Sequence, residues 1–119
     1  MNADLPSNIV CREIEFSRAY RDVDGNARNQ IVKGIDFGLD FQPFAVFKDP
    51  SRFKAEYIII HRPTGKSLGQ SFSLGPVVAF LEAIIPLRLQ WDSKDGYKRH
   101  TPFFEMIQSA AKRLGIENV

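Results

Sequence analysis

The stretch Tyr57–Phe72, YIIIHRPTGKSLGQSF, decides which fold the chain takes. Its Gly65-Lys66-Ser67 is the end of a phosphate-binding loop, which would demand a buried strand before it and a helix after it. That loop needs G-x-x-x-x-G-K-[ST], where the first glycine turns the backbone so that its N–H groups face the phosphates. Counting back from Gly65, that glycine should stand at position 60, which is Ile60. Lys66-Ser67-Leu68-Gly69-Gln70 is also poor helix-starting sequence. A turn explains the stretch better. Arg62-Pro63-Thr64-Gly65 sets proline where its fixed φ fits and glycine where φ can be positive. Two short strands joined by this turn make a hairpin with a glycine bulge, and the sheet is therefore antiparallel.

Toward the N-terminus, residues 8–20, NIVCREIEFSRAY, alternate as a long strand, with Val10, Ile14, Phe16 and Tyr20 on one parity and Glu13, Glu15 and Ser17 on the other. Residues 1–7 are expected to be a loose terminus. Asp24-Gly25 marks a hairpin, and a second strand follows in residues 30–41, QIVKGIDFGLDF. If Asp24-Gly25 is a two-residue loop, Ile14 faces Ile35, Val10 faces Leu39 and Arg18 faces Ile31. The apolar parities of both strands then share one face, at the cost of Glu13 against Asp36 on the other. Phe44–Phe47 is a short third strand, closed by Lys48-Asp49-Pro50-Ser51, and residues 54–61 and 67–72 supply the hairpin around Arg62–Gly65.

Beyond the hairpin the period changes. Gly75-Pro76 opens a helix whose VVAFLEAII is apolar nearly all round before Pro86. A helix with so little polar surface is buried on more than one side, against a second helix or another subunit. Thr101 as N-cap, Pro102 in the first turn and Gly115 past the end frame the second helix, with Phe103, Ile107, Ala110, Ala111 and Leu114 on one face. The order of strands and then helices predicts one α+β domain over residues 8–119. It has an antiparallel sheet of four to five strands with two C-terminal helices packed on one face.

A chain of 119 residues, 44% apolar and 25% charged, is long enough to bury a core and too apolar to be disordered throughout. Cys11 is the single cysteine, so no internal disulfide forms, which fits a reducing compartment. Met1-Asn2-Ala3-Asp4-Leu5-Pro6 lacks the basic start and apolar stretch of a secretory signal, and the most apolar segment, Leu74–Leu87, is too short to cross a bilayer. A cytoplasmic location without membrane contact is expected. The net charge of +2 is unevenly spread: residues 1–60 hold 8 Lys/Arg against 9 Asp/Glu, and residues 61–119 hold 8 against 5.

Candidate chemistry is sparse. Asp22-Val23-Asp24-Gly25-Asn26 suggests a calcium loop, but the sixth and twelfth positions are Ala27 and Lys33 instead of Gly and Glu. His61, His100 and Cys11 are too few and too scattered for a structural zinc site, and no catalytic motif is present. No catalytic residue, cofactor or metal is therefore expected. The most informative stretch is residues 87–100, LRLQWDSKDGYKRH, where Arg88, Lys94, Lys98 and Arg99 interleave with Trp91 and Tyr97. Cations follow a phosphate backbone and flat rings stack on unpaired bases, so this mixture suits single-stranded DNA or RNA.

Residues 18–37, RAYRDVDGNARNQIVKGIDF, resemble the core of the single-stranded-DNA-binding coactivator family named positive cofactor four, through Arg18, Tyr20, Asp22, Gly25, Lys33, Gly34 and Ile35. The resemblance implies single-strand binding for that family's core. It covers about a sixth of the chain, and the family passes almost directly from this strand into its helix, whereas here three more strands intervene. No binding residue is carried over from it.

The functional expectation is a small non-enzymatic binding protein, associated with nucleic acid and preferring single strands. The candidate residues are Arg62, Lys66, Arg88, Trp91, Lys94, Tyr97, Lys98 and Arg99. The alternative is an adaptor or inhibitor that binds another protein through the apolar helix and a phenylalanine-rich surface, and an enzyme of unknown chemistry comes third. A homodimer, formed through the apolar helix or an open sheet edge, is expected in either binding case.

Overall fold

The computed structural model describes residues 10–49, 56–87 and 102–119. The expected loose terminus at 1–7, the N-cap Thr101, the side chain of Phe103 and the whole of residues 88–100 lie outside the described residues. Five strands, β1 (Arg12–Arg21), β2 (Ala27–Asp36), β3 (Phe44–Asp49), β4 (Glu56–His61) and β5 (Lys66–Ser71), form one antiparallel sheet in the order of the chain. Two helices follow, α1 (Leu74–Ile84) and α2 (Pro102–Leu114), so the domain is α+β with its helices at the C-terminal end. No helix among the described residues is long and apolar enough to cross a membrane.

The local signals act as their chemistry dictates. Gly65 has φ +72° at the end of the β4–β5 turn, and Gly69, at φ +134°, marks the bulge where β5 slips one residue against Ile59 and Ile60. Pro76 sits in the first turn of α1, where its missing N–H would have had no helical partner. Gly115 (φ +76°) ends α2, and the Ile116 N–H donates back to the Ala111 carbonyl at 2.9 Å.

The β1–β2 register differs from the expected one by a single residue. Arg21 faces Ala27, and the Asp22 N–H still donates to the Asn26 carbonyl at 3.0 Å, so the turn is Val23-Asp24-Gly25. A three-residue turn ending in a positive-φ glycine (Gly25, φ +81°) reverses the parity that a two-residue turn would set. Asp22 holds this turn: its Oδ1 accepts from the N–H groups of Asp24 (2.9 Å) and Asn26 (3.0 Å), and its Oδ2 accepts from Arg28 Nε at 2.9 Å. The hydrogen bond from Arg28 is the largest cause holding the Asp22 carboxyl below its ordinary pKa.

Charge favours the same register. Glu15 faces Lys33 and Arg12 faces Asp36, where the expected pairing would have set Glu13 against Asp36. Ile14 therefore faces Gly34 and Phe16 faces Val32, while Ile31 and Ile35 lie on the opposite side of the ribbon. Leu39 and Phe41 are not in a strand. Gly38 turns the chain at φ +99°, and Leu39–Phe41 is a short 3-10 turn that leaves Leu39 exposed and Phe41 buried.

The two-stranded ribbon explains a second departure. β2 pairs with β3 only at Ile35–Val46, and the ribbon then folds across the sheet. Its inward residues Ile14, Phe16 and Val32 pack on Ala45, Phe47, Ile58 and Ile60, with the Phe16 and Phe47 rings edge-on at 6.4 Å between centroids. Phe44, Val46 and Ile59 face the other way, into a core closed by α1 and α2. The β3–β5 layer is thus covered on both faces, by its own N-terminal ribbon on one side and by the helices on the other. FAVF and YIII are unbroken apolar runs for this reason, because a strand buried on both sides does not alternate.

Helix α1 buries Leu74, Val77, Val78, Phe80, Leu81 and Ile84 between the sheet and α2, so its apolar surface is used within the chain. Apart from Phe72, every phenylalanine whose exposure is described is buried, which places that aromatic area in the core. The open edge of β5 is closed by the C-terminal residues, where Gln70 and Glu117 exchange two main-chain hydrogen bonds of 2.9 Å.

Candidate nucleic-acid interface

The β4–β5 turn is stiffly built. The Gly65 and Thr64 N–H groups donate to the His61 carbonyl at 2.8 and 3.2 Å, the Lys66 N–H donates to Thr64 Oγ1 at 3.2 Å, and the Arg62 N–H donates to the Pro43 carbonyl at 3.1 Å. His61 is fully buried, with Nδ1 2.9 Å from Thr64 Oγ1 and its ring against Phe44, so it serves as the foot of this turn. Arg62 and Lys66 remain exposed at the rim.

The turn meets β1. The Ala19 N–H donates to the Gly65 carbonyl at 2.7 Å, and a Cβ on residue 65 would stand 2.9 Å from the Ala19 nitrogen, so glycine is required by both its φ and its neighbour. Beside this clasp lies Arg18. Its guanidinium carbon is 4.9 Å from the centroid of the Tyr20 ring and 5.0 Å from that of Phe47, a stacked position suited to a planar cation. The Arg18 Nε is buried without a hydrogen-bond partner, an unfavourable state for a charged donor. Among the described residues, ion pairs are made by Arg12 with Asp36 and Arg28 with Asp22, and none is made by Arg18, Arg62 or Lys66.

Between β1 and the turn a cleft of about 340 Å³ opens, lined by Phe16, Ser17, Gln42, Pro43, Arg62 and Pro63. Gln42 is oriented from behind: its Nε2 donates to Asp36 Oδ2 at 3.4 Å, and its Oε1 accepts from Arg62 Nη1 at 3.5 Å. Asp36 also accepts from Arg12 Nη2 at 2.7 Å and from the Gly38 N–H at 3.2 Å. Burial alone would raise the Asp36 pKa, but the hydrogen bonds from Arg12, Gly38 and Gln42 and the Arg12 charge together hold it below its ordinary value.

A carboxyl with a lowered folded pKa binds fewer protons in the native state than in the unfolded chain, so stability rises with pH between its folded and unfolded values. That contribution is complete above the unfolded pKa of about 3.9 and disappears as pH falls through the folded value. Replacing Asp36 by asparagine is expected to cost about 2 kcal/mol at neutral pH and to flatten the acid side of the stability profile. Urea denaturation between pH 2 and 7 measures both, and an acid slope equal to that of the wild type would exclude this role.

Of the residues expected from sequence to bind, the structure places Arg62 and Lys66 on the turn beside β1. Arg88, Trp91, Lys94, Tyr97, Lys98 and Arg99 lie outside the described residues, as does His100. Sequence reasoning did not single out Arg18, Ser17 or Gln42 among its candidates, and the structure sets all three near the turn. The signal for Arg18 was a cation on the inward parity of a strand, in line with Ile14, Phe16 and Tyr20. No group of three or more metal-ligating side chains occurs among the described residues. Compared with family models, curated proteins and solved structures, the chain matches none.

Proposed function

We propose that the chain binds single-stranded nucleic acid across the surface where the β1–β2 ribbon meets the β4–β5 turn. The observation that carries this reading is the Ala19–Gly65 hydrogen bond, which brings the turn carrying the ion-pair-free Arg62 and Lys66 against the β1 main chain at Arg18 and Ala19. Cations without carboxylate partners are available to phosphate oxygens, and a guanidinium held over the Tyr20 and Phe47 rings has fewer positions to lose on making that contact. The segment that resembles the single-stranded-DNA-binding coactivator family, residues 18–37, takes in the end of β1 and the whole of β2.

The test is a fluorescence-anisotropy titration against a labelled single strand and a duplex of matched length, each at 50 and 200 mM salt. Three phosphate contacts to a single strand predict an affinity loss of about 20-fold across that range. Arg18→Ala is expected to weaken binding about tenfold and to lower the salt slope by about 0.7. Absence of binding at 50 mM salt would reject the reading.

A further inference from the structure

We infer that the cleft between β1 and the β4–β5 turn takes up one unpaired nucleobase, held by its Watson–Crick edge against the main chain of Ser17. This inference rests on reading the surface as a single-strand interface and names what part of the strand enters it. In an antiparallel ladder, alternate residues turn their N–H and C=O toward the partner strand and away from it. The Ala19 N–H points away from β2, since it reaches Gly65, so Ser17, two residues earlier, points its N–H and C=O the same way. Ser17 lines the cleft, and among the described residues nothing pairs with these two groups.

A strand residue offers one donor and one acceptor side by side. Every nucleobase carries an adjacent donor and acceptor on its pairing edge: N6–H and N1 in adenine, N4–H and N3 in cytosine, N1–H and O6 in guanine, N3–H and O4 in thymine or uracil. All four bases fit, and each fits only when its own partner strand is gone. The main chain thus selects single strands without selecting a sequence.

The rest of the cleft agrees with this occupant. Pro63 supplies an apolar wall beside the buried Phe16 and Pro43, and Arg62 stands at the rim where the phosphate would leave. An added peptide strand could not run past Ser17, because Gly65 occupies the Ala19 N–H and Pro63 beside it has no N–H to continue a ladder.

The experiment compares an oligothymidylate with an abasic strand of equal length, against wild type, Ser17→Ala and Ser17→Pro. Wild type is expected to hold the oligothymidylate about tenfold more tightly than the abasic strand. Ser17→Pro, which removes a N–H that no ladder uses, should reduce oligothymidylate binding to the abasic level, and Ser17→Ala, which keeps that N–H, should still prefer the oligothymidylate to the abasic strand. Equal wild-type affinity for the two strands, or a base-dependent difference that survives in Ser17→Pro, overturns the inference while leaving single-strand binding in place. Binding of neither strand overturns the functional reading and the inference with it. Should Ser17→Pro fail to fold, the Ser17 amide resonance of the wild-type protein decides. A downfield shift with oligothymidylate and none with the abasic strand supports the base contact, and an unmoved resonance rejects it.

Discussion

Gly34→Val is expected to lower stability by about 3 kcal/mol, a fall of about 12 °C in the thermal midpoint for a chain of this length. A Cβ at position 34 would overlap the Val46 carbonyl oxygen and lie 2.7 Å from the Phe16 ring. The first obstacle is main chain of a buried strand, which cannot rotate aside as a side-chain end could. Gly34 is where the ribbon leaves the sheet to fold across it, next to the single Ile35–Val46 pair. Gly25 makes the useful contrast. A Cβ there meets nothing, so Gly25→Ala carries only the penalty of its positive φ, about 1 kcal/mol. Differential scanning calorimetry of both variants checks the difference. A Gly34→Val midpoint within a few degrees of wild type would mean that the ribbon does not cross β3 this closely.

Phe16→Ala is expected to cost about 3–4 kcal/mol, because it empties the centre of the layer between ribbon and sheet. Phe16 is 5% exposed and packs with Phe47, Ala45, Ile58 and Ile60. The helix-side core, which includes Phe44, Ile59, Leu81 and Ile107, does not include it. The loss should therefore fall unevenly: amide exchange should quicken in β1 and β2 while Ile59 and its neighbours in β4 stay protected. On the proposed function, nucleic-acid affinity should fall as well, since Phe16 borders the same cleft as Ser17 and Arg62. Uniform acceleration across β1 and β4 would show instead that the ribbon and the sheet unfold as one unit.

The register of the first hairpin shows how far sequence reasoning reaches. Asp24-Gly25 placed the turn correctly, yet whether the turn holds two residues or three depends on the Asp22 carboxylate capping the Asp24 and Asn26 amides. That one residue decides which side of the ribbon meets the sheet. The pairing of Glu15 with Lys33 and of Arg12 with Asp36 was available as a charge criterion and favours the observed register. The unbroken runs at Phe44–Phe47 and Tyr57–Ile60 likewise signalled strands covered on both faces, but not what covers them.

By itself, the sequence determined the order of strands and helices, the α+β class, the turn at Arg62–Gly65 and the C-terminal end of α2. Each depends on the period of apolar residues or on the φ of a nearby glycine or proline, and such causes act within a few residues. The folding of the ribbon over β3 and β4, the enclosure of α1 and the meeting of the β4–β5 turn with the main chain of Arg18 and Ala19 were decided only in the tertiary structure. They rest on contacts such as Ala19 to Gly65 and Phe16 to Phe47, between residues far apart in the chain. Such contacts exist only once apolar surface on both sides of the β3–β5 layer has been removed from water, and no local pattern records which distant segment performs that burial.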